Sequence, residues 1–180
     1  MKKLVIAEKP SVGREIAKNL LCFDRNKGYT EGPDYIITWA LGHLVELAEP
    51  QHYSERYKRW SLKDLPMLPE SLEQAVIPES EEQFEVISNL LKRNDISSVV
   101  IATDAGREGE LVARWILKLA GYEGKLERLW ISSQTEKAIK EGFASLRPAE
   151  EYDNLYKAAE CRAAADWYVG MNVTRALTCY

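Results

Sequence analysis

Two acids stand directly after short apolar runs: Glu8 follows "LVIA" at residues 4–7, and Asp104 follows "VVIAT" at 99–103. Glu108 and Glu110 come just behind the second, in "DAGREGE". An apolar run that stops at charge or proline is the pattern of a buried strand. In open parallel sheets ligands collect beyond the C-terminal strand ends, so carboxylates at two such ends can converge. Glu8, Asp104 and Glu108 offer only hard oxygen donors, the set that Mg²⁺ prefers, and Mg²⁺ keeps several waters and needs few carboxylates. Gly106 and Gly109 permit a tight turn there, and Glu110 is an additional candidate ligand from the first helical turn. Lys9 and Arg107 sit beside the acids, where cations can contact non-bridging phosphate oxygens or hold repelling carboxylates together. Such a site suits phosphoryl transfer, in which the ion neutralises and positions phosphodiester oxygens. The same residues admit a plainer account, as a helix cap and a charged strand end with exposed basic partners.

The surrounding elements decide whether those acids can meet. After the strand at 4–7, Pro10 and Ser11 open a helix through about Leu21, with Val12, Ile16 and Leu20 on one face. "DYIITWA" at 34–40 reads as a second strand. The stretch after it carries Pro50, Pro66 and Pro69 and no steady period, and so reads as a long, partly irregular insertion with aromatic anchors. Residues 70–91 hold six glutamates and no lysine or arginine, with an extended piece at "QAVIP" and a helix near 80–93. "SSVVIATD" is a strand, "REGELVARWILKLAGY" a helix with Leu111, Trp115, Ile116 and Leu119 inward, and "LERLWIS" at 126–132 one more strand. Strand and helix in alternation predict an α/β fold, a mainly parallel sheet flanked by helices. Past residue 133 the composition shifts to alanine-rich helix, with Ser133 and Glu136 spaced as a capping box. The expected division is therefore 1–133 and 134–180, the second part being a helical segment of another domain.

Composition bounds the class. The 180 residues are 46% hydrophobic and 29% charged, the range of a soluble folded protein, and the net charge of −4 gives no global signal for nucleic acid. Three cysteines without a Cys-x-x-Cys pair argue against a zinc site or a disulfide framework. No apolar run approaches a signal core or a membrane span, so a cytoplasmic protein without a membrane partner is expected. No Gly-x-x-x-x-Gly-Lys-Ser/Thr loop is present, so nothing in the chain asks for ATP. His43 reads as a hydrogen-bonded structural histidine, the five tryptophans as core or interface anchors, and Cys161 as a small buried residue.

Three blocks, "VIAEKPSVGREIA" at 5–17, "TWALGHLVELAEPQHYSERYKRW" at 38–60 and "IATDAGREGELVARWIL" at 101–117, resemble the Toprim domain of type IA DNA topoisomerases, above all its bacterial type III branch. "RLWISSQTEKAIKEGFASLRP" and "YKAAECRAAADWYVGMNVTRALT" resemble the start of the helical domain that follows it. The resemblance implies a general acid/base role for Glu8 and a scissile-phosphate contact for Lys9. It makes Asp104 and Glu108 metal-associated acids, with Arg107 between them. It places Arg162, Asp166, Asn172, Thr174 and Arg175 along a groove for single-stranded DNA, where arginines can contact phosphates and aromatics can stack bases.

Two departures from the family pattern matter. Many relatives carry Asp-x-Asp-x-Glu, whereas Gly106 holds the middle position here, leaving one versus two metals open. The family's attacking tyrosine lies in another domain, well downstream, in a Tyr-x-Arg context. Tyr57 is followed by Lys58 and Arg59 but lies inside the block at 38–60 that resembles the Toprim region, and Tyr180 has no arginine after it. The chain thus reads as the metal-binding half of a split active site, needing the remaining domains of the same enzyme to cut DNA. The alternatives are another Toprim protein, such as a nuclease or primase relative, and a non-catalytic module that binds single-stranded DNA.

Overall fold

The computed structural model describes all 180 residues. In chain order the elements are β1 (Lys2–Ala7), α1 (Pro10–Asn19), β2 (Asp24–Asn26), β3 (Tyr29–Glu31), β4 (Tyr35–Trp39), β5 (Val45–Leu47) and α2 (Pro50–Tyr53). They continue with β6 (Gln74–Val76), α3 (Glu81–Leu91), β7 (Ile96–Ala102), α4 (Arg107–Leu119), β8 (Leu126–Arg128), α5 (Glu136–Ala144), β9 (Arg147–Pro148) and α6 (Asp153–Cys179). Seven strands form one sheet in the order β2-β3-β4-β1-β7-β8-β9, and β5 pairs with β6 apart from it. The four central strands are parallel, with Ala7 opposite both Trp39 and Ala102. The short outer strands run antiparallel to their neighbours.

Strand β1 is apolar at consecutive positions because both of its faces are covered. Side chains alternate across a strand. Leu4 and Ile6 therefore pack with Ile101 under α3 and α4, which supply Ile87, Leu90, Leu111, Trp115 and Ile116. Val5 and Ala7 face the other way, with Ile37, Val100, Ile16 and Ala17 of α1, and Ile139 of α5. The connections leaving β1 and β7 thus turn to opposite faces, which opens a crevice at the C-terminal ends of these adjacent strands.

Several local expectations change. The last parallel strand ends at Arg128 rather than running to residue 132; Leu129 adds one further bond to Ile101, and Trp130 leaves the sheet to stack on Tyr152. The cap of α5 is Thr135, whose hydroxyl accepts the Ala138 amide, and not Ser133. Cys161 is exposed, whereas Cys22 is the buried cysteine. The insertion between β5 and β6 is partly irregular: it carries α2 and two 3-10 turns, Glu55–Lys58 and Leu62–Asp64, joined by stretches without regular structure. Packing does not stop at the composition shift near 133: α5 rests on α1, and β9 pairs with β8 as the last strand of the sheet. Helix α6 lies along α4 and buries Ala159 and Trp167. No helix is long and apolar enough to cross a membrane.

Candidate metal centre and adjoining cleft

Glu8 is the first residue beyond β1, and its Oε2 accepts the backbone N–H of Asp104, the second residue beyond β7, at 2.9 Å. Asp104 is held from below by Arg128, a fully buried side chain at the end of β8. The Arg128 guanidinium donates to the carbonyls of Ile101 (3.1 Å), Thr103 (2.7 Å), Leu129 (2.8 Å) and Asp104 (2.7 Å). Its Nε donates to Glu110 Oε1 at 2.6 Å, and Arg114 reaches the other oxygen of Glu110 at 3.2 Å. Burial pulls the Arg128 pKa below the usual arginine value, and the Glu110 carboxylate opposes that shift. The Thr103 hydroxyl donates to the Gly109 carbonyl at 2.7 Å, which folds the loop against the first turn of α4. Gly109 is required there, because a Cβ would stand 2.0 Å from the Asp104 carbonyl oxygen.

Glu110 is therefore not a metal ligand. It is completely buried between Arg128 and Arg114, and its charge is spent on holding the loop. Asp104 and Glu108 are exposed, and no basic side chain pairs with the Asp104 carboxylate. Glu108 lies 4.0 Å from His43 Nε2. His43 is itself exposed, and the reading of it as a purely structural histidine gives way to one at the edge of the site. The signal that could have found it is its place in a block shared with the family, "TWALGHLVELAEP". Lys9 and Arg107 are exposed at the starts of α1 and α4, without an acidic partner.

No group of three or more His, Cys, Asp or Glu side chains closes into a metal cage. The structure brings Glu8 to the Asp104 backbone and Glu108 to His43, and leaves the carboxylates facing water. The donor set nevertheless fits Mg²⁺, which takes one or two carboxylates and retains waters in most of its sites. Glu8 has its second oxygen free, and Asp104 and Glu108 are both uncommitted to arginine or lysine.

A cleft of about 450 Å³ joins this corner to α6, lined by His43, Glu46, Glu108, Arg162 and Asp166 over a floor of Trp115. Arg162 and Asp166 form a loose pair at 3.6 Å, one turn apart on α6. A second cleft of about 520 Å³ opens on the α1 side of Asp104. The rest of the expected DNA set divides differently. Thr174 is exposed. Asn172 and Arg175 are engaged within the chain: the Asn172 amide brackets the Met67 backbone, accepting from its N–H at 2.6 Å and donating to its carbonyl at 3.1 Å. Arg175 is buried and donates to the Tyr57 carbonyl at 2.7 Å. Both are held by the insertion, whose path across α6 periodicity alone does not reveal.

A mainly parallel sheet covered on both faces, with acids beyond the ends of two adjacent central strands, is the arrangement of a Toprim domain. A family model for the Toprim domain matches residues 3–134, and the chain belongs to that family. Over 177 residues, 98% of this chain, it is 56% identical to DNA topoisomerase 3 of Bacillus subtilis (strain 168) and 59% identical to DNA topoisomerase 3 of Shouchella clausii. The chain spans about a quarter of the length of these curated relatives, 24% in each case. Among solved structures, full-length topoisomerase I from Thermotoga maritima superposes with a TM-score of 0.53 at 22% identity, covering 81% of this chain and 21% of that one. That likeness concerns the fold.

Proposed function

We propose that the chain is the metal-binding part of an ATP-independent type IA DNA topoisomerase, which cuts, passes and rejoins single DNA strands by transesterification. The observation that carries this reading is the meeting of two strand ends, the Glu8 carboxylate on the Asp104 amide. In this reading Glu8, Asp104 and Glu108 hold Mg²⁺, which when bound neutralises phosphodiester oxygens. As the tyrosine oxygen bonds to phosphorus and the P–O3′ bond breaks, the proton lost by the tyrosine hydroxyl reaches the departing 3′-oxygen by way of the Glu8 carboxylate, and it returns by the same route on rejoining. Lys9 and Arg107 steady the scissile phosphate, and Arg162 and Asp166 border the path of the single strand into the cleft. The attacking tyrosine comes from the remaining domains of the same enzyme, so the chain by itself neither cleaves nor relaxes DNA, and it works in the cytoplasm.

The test is a calorimetric Mg²⁺ titration of the chain beside its Asp104→Asn and Glu108→Gln variants. The expected result is one weak site that both substitutions abolish while the thermal melt stays in place. Unaltered binding in both variants would remove the metal assignment and leave the non-catalytic single-strand-binding module as the better account. Two sites, or nanomolar affinity, would contradict a centre that lacks the middle acid.

A further inference from the structure

The residues from Ala48 to Pro69 form a strap that α6 holds by its backbone. Trp167 Nε1 donates to the Ala48 carbonyl at 2.9 Å, and the Tyr168 hydroxyl donates to the Pro69 carbonyl at 2.8 Å. Between these ends Asn172 grips Met67 and Arg175 grips Tyr57, so four side chains on one helix fix four points of an irregular segment. Tyr57 and Met67 are buried beneath it. Packing this complete on the inner side makes the outer side a fixed surface rather than a loose loop.

That outer side is basic and aromatic. Residues 55–64, "ERYKRWSLKD", hold four cations against two acids in a chain whose net charge is −4. Lys58, Arg59 and Lys63 are exposed and have no acidic partner, while Arg56 donates to the Tyr57 hydroxyl at 2.7 Å. Trp60 stands among them, 49% exposed. The Arg175 guanidinium lies 5.3 Å from its ring centroid, so a buried cation stiffens a half-open indole. Cations that can track phosphates, interleaved with an aromatic platform, are the elements of a sequence-tolerant surface for single strands.

We propose that the outer face of this strap is a second binding surface for single-stranded nucleic acid, with Lys58, Arg59 and Lys63 on phosphates and Trp60 stacked on a base. It extends the DNA path from Arg162 along α6 by roughly 20 Å at 1.5 Å per residue as far as Arg175, and it rests on the DNA-binding reading given above. Two of the side chains expected to touch DNA act one step removed: Asn172 and Arg175 hold in place the segment that does.

The experiment is fluorescence anisotropy of a labelled oligothymidylate against the chain at a series of salt concentrations. Replacing Lys58, Arg59 and Lys63 together by Gln is expected to weaken binding roughly tenfold at low salt and to flatten the log–log salt slope by roughly 2, at about 0.7 for each phosphate left without its cation. Trp60→Ala is expected to weaken it at least about fivefold with the slope unchanged, the signature of lost stacking. Lys58, Arg59 and Lys63 are on the surface, so the melt of the triple variant by circular dichroism should match the parent's; Trp60→Ala gives up the contact with Arg175 and is compared well below its own melting temperature. Arg162→Gln separates the two claims: if it weakens binding while the triple variant binds with the parent's affinity and slope, the strap assignment is overturned and the proposed function stands. If neither variant changes binding, both fall. Polyglutamate competing as well as unlabelled oligothymidylate would also overturn the strap assignment, since a generic polyanion surface would need no base.

Discussion

The Glu8 carboxylate accepts the Asp104 backbone amide across 96 residues of chain, and this bond locks the ends of β1 and β7 at one height. It also orients the Glu8 side chain without consuming its charge, because only one of the two oxygens is engaged. Glutamine retains an acceptor oxygen at the same place, whereas alanine leaves the amide without its partner. Glu8→Gln is therefore expected to keep the urea midpoint close to the parent's, and Glu8→Ala to lose about 0.5–1.5 kcal/mol, the net contribution of an ordinary hydrogen bond. Equal loss in both variants would mean that the charge, and not the bond, ties the strands.

Arg128 and Glu110 form the second relationship on which the site depends. Both are buried to zero exposure, and Arg128 serves three carbonyls of the segment that presents Asp104, those of Ile101, Thr103 and Asp104, besides the neighbouring Leu129 carbonyl. Removing one partner of a buried pair strands the other charge at a cost of about 3–5 kcal/mol. Glu110→Gln and Arg128→Met are each expected to fall in that range by denaturant unfolding. Where Arg128→Met still folds, native-state hydrogen exchange should show faster exchange at Asp104 than in the parent, because its amide and carbonyl lose their common frame. Protection of Asp104 at the parent's level would show that β7 alone positions it.

Acid stability is expected to turn on Arg93, far from the site. Its guanidinium forks onto Asp95 at 2.7 and 2.9 Å and onto Glu31 at 2.9 and 3.0 Å, tying β3 to the start of β7. Hydrogen bonding from Arg93 holds the Asp95 carboxyl down at about 2, from an ordinary 3.8, and holds Glu31 below its ordinary value. A depressed carboxyl pKa means that the folded chain favours the ionised form. The stabilisation is complete above the ordinary pKa and disappears as pH falls from about 4 towards 2. Urea midpoints measured across that window should drop in the parent, and Arg93→Ala should flatten the drop. An equally steep acid limb in Arg93→Ala would assign it to other carboxylates.

The sheet and the two acid-bearing strand ends were legible because each rests on local signals. A four-residue apolar run with charge and proline behind it is the pattern of a covered strand, and the period of α4 placed Leu111, Trp115 and Ile116 inward, although Leu119, expected with them, lies exposed near the end of the helix. The fates of Glu110, Asn172 and Arg175 were not legible. Glu110 shares the hydrophilic "DAGREGE" run with Glu108, two residues away, yet points to the opposite side of α4, where a partner from β8 awaits it. That partner, Arg128, sits in a short segment whose apolar neighbours gave no hint of a buried cation. Asn172 and Arg175 look like exposed helix residues until the strap is laid across them, and no periodicity in the strap says where it lies. Charge that is satisfied by distant backbone is invisible to spacing.

The two glycines of the acidic loop make opposite predictions. At Gly109 a methyl group would press on the Asp104 carbonyl oxygen from 2.0 Å, backbone against backbone with no flexible side chain to give way. Gly→Ala in a helix interior ordinarily gains about 1 kcal/mol, but here overpacking reverses the sign, and Gly109→Ala is expected to destabilise by roughly 1–3 kcal/mol and to displace Asp104. At Gly106 nothing lies within 4 Å of the added Cβ. Its φ of 177° is extended backbone open to any residue, and it occupies the cap position of α4, where Asp improves on Gly by a few tenths of a kcal/mol. Gly106→Asp should therefore fold at least as stably as the parent while restoring the middle acid of the Asp-x-Asp-x-Glu pattern. A carboxylate about 4 Å from a divalent ion gains on the order of 2 kcal/mol even at the dielectric of water, part of which repulsion from Asp104 and Glu108 takes back. Calorimetry should then show Mg²⁺ binding roughly tenfold tighter. A stable Gly106→Asp variant with unchanged Mg²⁺ affinity would mean that the ion does not sit over this loop.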